Sequence, residues 1–351
     1  MSAPAAPQVG PPDVGAPHVV TFGEVLLRLS PPHPHERLFQ SPTLRTWFGG
    51  SEANVAAGLA RLGTAVEHVT RVPAHAVGDA ALAALRAEGV GVRHVARGGT
   101  RLGAYFVESG ADLRPLHTVY DRAGSAFAEL EPAHLDWDAA LRGVEWFHVS
   151  GIVPALGDGP RRTLGAALDA ARARGIPVSV DLNWRPALWN GRDPRPTIER
   201  LAASAHLLIA NPGAVDIMLG EPTAGTAPEP PDALRDTAAR LCARFGCADV
   251  ALTQRDVRSA HAHAWTAHLY EGATGTLHSA PRYEMHVVDR VGGGDSFVAA
   301  LLHARLAGRP PADAVRFAAA AGALKLTIPG DFNRVSAEEV DRLLAAAAPG
   351  S

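Results

Sequence analysis

The chain has 351 residues, 47% of them hydrophobic, and a formal net charge of −3. That length allows one large α/β domain or two smaller ones around a sizeable core. The weak charge balance, without a basic cluster interleaved with aromatics, speaks against nucleic acid, and no run of about 18 apolar residues offers a membrane span. Lys325 is the only lysine, which reads as compositional drift and excludes a Gly-Lys-Ser/Thr phosphate loop.

In chain order, residues 1–17 are rich in Pro, Ala and Gly. They lack the charged start and apolar centre of a signal peptide and predict a disordered tail, as do residues 347–351. Residues 18–22 predict a strand ending at Gly23-Glu24. Pro31, Pro32, Pro34 and Pro42 keep residues 25–48 out of helix and leave extended segments or a small flap. A helix over 52–61, a strand over 66–72 and a helix over 80–88 follow, with Gly63 and Gly89 as helix stops. Residues 102–107 and 116–120 read as paired strands around the turn Gly110-Ala111-Asp112. Further on, strands at 146–149, 177–182, 207–210 and 250–253 alternate with helices at 161–174 and 237–245. This rhythm predicts a parallel sheet covered by helices on both faces, with ligands at the carboxyl ends of the strands. Segments 25–48 and 101–121 fall outside it and are expected to form a β lid over the site. Cys242 and Cys247 are the only cysteines, which supports no disulfide framework, fits a cytoplasmic setting and places both in or near a helix.

The most informative run is Asp289-Arg290-Val291-Gly292-Gly293-Gly294-Asp295-Ser296-Phe297. It joins a predicted strand at 284–288 to an amphipathic run at 297–306. Amides at such a helix start are unpaired and attract anions, and glycine lets a phosphate approach them. An aspartate there is electrostatically awkward unless it takes a proton from a group attacking that anion, which suggests phosphoryl transfer to a hydroxyl. The alternative is that Asp295 or Ser296 is only an N-cap.

Other segments carry paired readings. Gly49-Gly50-Ser51-Glu52-Ala53-Asn54 opens a helix, where a ligand could approach the amides or Ser51 could simply cap. Asp181-Leu182-Asn183-Trp184-Arg185 follows a strand; Arg185 suits a carboxylate or phosphate, or is a solvated loop arginine. Tyr120-Asp121-Arg122 leaves a lid strand, as a contact or an ordinary surface turn. Thr253-Gln254-Arg255-Asp256-Val257-Arg258 follows another strand, and its arginines could meet nucleotide phosphates or water. His261, His263 and His268 read as a half-exposed alternating strand in preference to a metal site. The Gly-x-Gly-x-x-Gly fingerprint is absent, against a nicotinamide dehydrogenase.

Together these motifs resemble the ribokinase-like (PfkB) carbohydrate kinases over residues 18–346. The runs Gly49 to Ala56 and Val288 to Phe297 look like the two signatures of that family. Within it, four segments resemble those of 2-dehydro-3-deoxygluconate kinases. They are Gly103-Ala104-Tyr105-Phe106, Tyr120 to Ala126, Asp181 to Trp189 and Ile328-Pro329-Gly330-Asp331-Phe332-Asn333. The resemblance implies a three-layer α/β/α domain with a mostly parallel sheet and a small β lid, ATP and magnesium as cofactors, and a sugar acid as substrate. It makes Asp295 the base and the amides of Gly292, Gly293 and Gly294 the anion hole. It places Gly49, Gly50, Asn54, Tyr105, Tyr120, Arg122, Arg185 and Asp331 on substrate. It turns Asn183, Asn211, Thr253, Arg255 and Arg258 towards ATP, and implies a homodimer or higher homo-oligomer through the lid strands.

Two departures stand out. Asn211-Pro212-Gly213-Ala214 lacks the glutamate of the family's Asn-x-x-Glu segment, leaving Asp216 as the nearest acid. Residues 253–259 lack the usual glycines of the nucleotide loop. The expected activity is phosphorylation of 2-dehydro-3-deoxy-D-gluconate to its 6-phosphate. The alternatives are a kinase for another sugar such as fructose, which the arginines disfavour, and a catalytically silent sugar-binding regulatory protein.

Overall fold

The computed structural model describes residues 18–224 and 228–346, so the calls on residues 1–17 and 347–351 lie outside the described residues. The strands are β1 (Val19–Phe22), β2 (Leu26–Ser30), β3 (Arg45–Gly49), β4 (Val66–Val69), β5 (Arg71–Val72), β6 (Ala96–Arg97), β7 (Gly103–Glu108) and β8 (His117–Asp121). After them come β9 (Trp146–Ser150), β10 (Val178–Asp181), β11 (Leu207–Ala210), β12 (Asp249–Val257), β13 (Ala262–Glu271), β14 (Thr276–Ser279) and β15 (Tyr283–His286). The helices are α1 (Ser51–Arg61), α2 (Ala76–Ala87), α3 (Trp137–Ala140), α4 (Asp158–Ala173), α5 (Pro186–Trp189) and α6 (Arg195–Ala202). They continue with α7 (Pro212–Leu219), α8 (Pro231–Phe245), α9 (Gly293–Leu306), α10 (Pro311–Lys325) and α11 (Ala337–Ala346).

The central sheet runs β14-β13-β12-β11-β10-β9-β1-β4, with β15 also on β13. The pairs from β4 across to β12 are parallel, and β13 pairs antiparallel with its neighbours. Successive side chains on a strand point to opposite faces, and here both faces are dry. Val19, Leu207, Ile209 and Ala251 join the core beneath α1, α9 and α10. Val20, Leu208, Val250 and Leu252 join the core beneath α4, α7 and α8. Two cores on one sheet make the expected three layers.

Strand β1 lies between β9 and β4, so the chain leaves it to both sides. The carboxyl ends of the strands flanking such a switch point form a natural crevice. Segments 25–48 and 101–121 supply a separate four-stranded sheet, ordered β3-β2-β7-β8.

Several sequence expectations shift. The strand expected over 66–72 breaks at Thr70, and its two parts pair in different sheets. Helix α2 starts four residues before the expected 80, because the His75 ring accepts from the Val77 amide and caps it. Residues 253–257 belong to β12 and are no loop; they pair with β13 as far as Val257↔His263. Charged Arg255, Asp256 and Arg258 disguised that hairpin as a loop. His263 and His268 are buried and not half-exposed, because β13 is covered on both faces. Cys242 lies in α8 and Cys247 just beyond it; both are free thiols.

Candidate active site

A cleft of about 600 Å³ opens at the carboxyl ends of β10 and β11, between the start of α9 and the small sheet. Of the residues expected there, Gly50, Asn54, Tyr105, Tyr120, Arg122, Asn183, Arg185, Asn211, Thr253, Arg255, Gly292, Gly294, Asp295 and Asp331 line it. Gly49, Gly293 and Arg258 do not.

The glycine turn caps α9 without a side chain. Gly292 is the N-cap, at φ 81°, and the helix begins at Gly293. A Cβ on Gly292 would lie 2.3 Å from the Asp331 carbonyl oxygen, so only glycine fits. The Ser296 N–H donates to the carbonyl of the N-cap Gly292 at 2.9 Å. The amides before it have no acceptor within the helix. Asp295 is therefore not the N-cap; it sits in the first turn, 8% exposed. Gly294 has open space beside it, whereas a Cβ on Gly293 would strike Leu326, so Gly293 serves packing.

Asp295 is held from α1. Its Oδ1 accepts from the Ser51 hydroxyl at 2.9 Å and its Oδ2 from Asn54 Nδ2 at 2.7 Å. Ser51 is thus no cap, since Gly50 takes that position. Asn54 also lines the cleft, and its Oδ1 is buried without a hydrogen-bond partner. Asn183, in a left-handed conformation, donates from Nδ2 to Ser51 Oγ at 2.7 Å and so extends the chain of bonds. Burial raises the Asp295 pKa, while the Asn54 and Ser51 bonds and the charges of Arg185 and Lys325 hold it down. Burial pushes Glu52 and Asp181, close by, up to about 7 each, with Asp295 adding repulsion.

The small sheet brings a second network. Arg28 on β2 pairs with Asp289 at 2.8 Å and with Asp331 at 3.0 Å. The Tyr105 hydroxyl donates to Asp331 Oδ1. A Cβ on Gly49 would lie 2.2 Å from that oxygen, and one on Gly50 would lie 2.0 Å from the Glu24 carbonyl oxygen. Both glycines therefore make room for the protein's own groups. Arg122 is gripped by Glu24, Nε to Oε2 at 2.7 Å and Nη2 to Oε2 at 2.6 Å. Its charge is compensated by that carboxylate. The Tyr120 ring lies under the Arg122 guanidinium and stacks on Tyr105 with centroids 6.1 Å apart.

Arg185, Arg255 and Arg290 form the opposite case. Among the described residues none of them has an ion pair, whereas Arg122 in the same cleft does. Burial and the charges of Arg290 and Arg185 bring Arg255 down to about 10, and burial and Arg185 lower Arg290. Arg258 lies past the end of β12 and pairs outside the cleft with Glu284 at 2.9 Å. Asn211 accepts from the Ala214 amide as the cap of α7, and Asp216 is exposed on that helix, away from the cleft. Glu24, Arg28 and Lys325 went unremarked in sequence as site residues. Glu24 alone had a signal, its place at the carboxyl end of β1.

Asp181 is the cleft carboxylate that would suit a largely hydrated magnesium ion. No group of three or more His, Cys, Asp or Glu among the described residues forms an all-protein metal cage. No helix among them is long and apolar enough to cross a membrane.

Comparison with known proteins agrees with this geometry. Residues 16–337 match the pfkB family carbohydrate kinases. The chain is 33% identical over 326 residues to a 2-dehydro-3-deoxygalactonokinase of Haloferax volcanii, covering 93% of this chain and 96% of that protein. A 2-dehydro-3-deoxygluconokinase of Bacillus subtilis is 28% identical, with 91% and 93% covered. The crystal structure of a 2-dehydro-3-deoxygluconokinase from Thermotoga maritima superposes with a TM-score of 0.90 at 42% identity, covering 93% of this chain and 99% of the other. Family match, fold and a glycine-framed aspartate agree: the chain belongs to the PfkB family of carbohydrate kinases, which use ATP.

Proposed function

We propose that this kinase transfers the γ-phosphoryl group of ATP to the 6-hydroxyl of 2-dehydro-3-deoxy-D-gluconate. The observation that carries the reading is the buried Asp295 at uncapped helix amides, beside three unneutralised arginines. Asp295 takes the proton of the primary hydroxyl as its oxygen attacks the γ-phosphorus. The bond to the β–γ bridging oxygen breaks, and ADP leaves with that electron pair. The amides at Gly292, Gly293 and Gly294 receive the charge gathering on the moving group. Arg185 takes the sugar carboxylate, with Tyr105, Tyr120, Arg122, Asp331 and Gly50 shaping the pocket around it. Arg255 and Arg290 take the phosphates in place of loop glycines, and Asn183, Asn211 and Thr253 border the nucleotide. Magnesium, when bound, neutralises phosphate charge, and Asp181 would hold its water shell. The small sheet acts as the lid.

The relative from Haloferax volcanii, by its name, favours a second reading, the galacto epimer of the same acid. A coupled ATP-consumption assay across both epimers, fructose and ribose decides. Turnover of a keto-deoxy acid with inert neutral sugars is expected; fructose turnover with both acids inert overturns the reading. Substrate binding without any turnover would favour a silent regulatory protein.

The outer face of the small sheet supports the proposal of a homodimer. Val119, Phe106 and Leu29 stand in one cross-strand row there, and Val119 is 45% exposed. Light scattering at micromolar concentration should give twice 36.6 kDa; a single-chain mass would refute the pairing.

A further inference from the structure

Lys325 is the one lysine among 33 basic residues, and it is fully buried. It ends α10, and its ammonium donates to the Ile328 carbonyl oxygen at 3.1 Å. A buried cation without opposite charge nearby is strongly unfavourable. Burial lowers the Lys325 pKa and Arg28 adds to that, while Asp289, Asp331 and Asp295 oppose the shift and favour the charged form. The stem passes directly behind the glycine turn, since a Cβ on Gly292 would come 3.3 Å from Lys325 Cε. The next residue fixes that end of α10 to the turn. The Leu326 carbonyl accepts from the amides of Val288 and Asp289 at 2.9 and 3.2 Å, and its side chain backs Gly293. An ammonium is a compact point charge; a planar guanidinium is larger and needs a wider cavity. That accounts for a lysine at this place in a chain that otherwise uses arginine.

We propose that Lys325 is a built-in cation behind the anion hole, a positioning residue that stabilises charge gathering at the Gly292–Gly294 amides and keeps Asp295 ionised. The inference rests on the phosphoryl-transfer reading above. Lys325 touches no reacting atom and exchanges no proton in the reaction. Its effect is electrostatic and acts through the turn.

The test is Lys325→Met, which keeps much of the length and removes the charge, assayed with the sugar acid that the wild-type protein phosphorylates. A fall in kcat of about tenfold or more is expected, with both KM values changed by less than about twofold. The acid limb of the kcat profile should move to higher pH. Asp295 then faces the carboxyl groups of Glu52 and Asp181 with Arg185 as its remaining cation, beside the Ser51 and Asn54 donors. A folded variant with wild-type kcat and an unmoved acid limb overturns the proposal.

If the variant does not fold, wild-type protein carrying isotope-labelled lysine gives a single side-chain resonance. Its Cε signal should shift with magnesium ADP and fluoroaluminate, but not with sugar acid alone; no shift overturns the proposal. Should the wild-type protein phosphorylate none of the panel, the functional reading fails on its own, and this resonance still decides the role of Lys325.

Discussion

Around Asp295 the chain supplies partners for both carboxylate oxygens, whereas Arg185, Arg255 and Arg290 across the same cleft meet no carboxylate among the described residues. In the first region both carboxylate oxygens are held before any ligand arrives. Ser51 and Asn54 donate to Asp295 and Asn183 donates to Ser51, so the buried charge is fixed in direction. The second holds like charges side by side, a state that an incoming polyanion relieves. The contrast separates two tasks: a base must be positioned to a fraction of an ångström, while a clamp for phosphates and carboxylate can leave its charge free until it closes.

The largest effect should come from breaking the completed region. Asp295→Asn keeps the shape but turns one of the two accepting oxygens into a donor and cannot take a proton. We expect kcat to fall by about 10³-fold or more, while sugar acid and ATP still bind within a few-fold of wild type by calorimetry. Unchanged turnover would remove Asp295 from the role of base. On the arginine side, Arg255→Ala should raise the KM for ATP by about tenfold to a hundredfold, with the KM for sugar nearly constant. Arg258→Ala, already paired with Glu284 outside the cleft, should change neither. Equal effects at the two positions would show that facing the cleft, which distinguishes Arg255, does not matter.

Much of the first region was legible in the sequence, and much of the second was not. The two glycine clusters stand out in the sequence, and Gly50 and Gly292 adopt positive φ that few residues tolerate, although here the space freed is filled partly by Asp331 and the Glu24 carbonyl. The alternation of strands and helices gave the layers, since burial on both faces leaves continuous apolar runs. The pairing of charges was invisible. Arg122 and Arg185 look alike in sequence, yet Glu24, 98 positions before Arg122, neutralises one and not the other. Arg28 likewise meets Asp331 across 303 positions. Lys325 reads as mere composition in the sequence because its place behind the turn depends on how α10 packs. Local pattern encodes elements; long-range contact decides which charge is free.

The smallest effect tests how much negative charge surrounds Asp295. Glu52 lies in the first turn of α1, accepts from the Ser150 amide at 3.1 Å, and is raised from 4.5 to about 7 chiefly by burial. Between those values the unfolded chain gives up this proton and the folded chain keeps it. The stability it contributes is therefore full below pH 4.5 and is lost as pH rises to about 7. Glu52→Gln cannot ionise and removes that loss. Melting curves should show the variant gaining on wild type from pH 5 to 7.5, by on the order of 1–3 kcal/mol. A stability difference that stays flat with pH would mean that Glu52 ionises in the folded chain as readily as in the unfolded one. The region around Asp295 would then carry a full extra negative charge at neutral pH, and the arginines opposite would be its counterweight, no longer a clamp left free for the ligand.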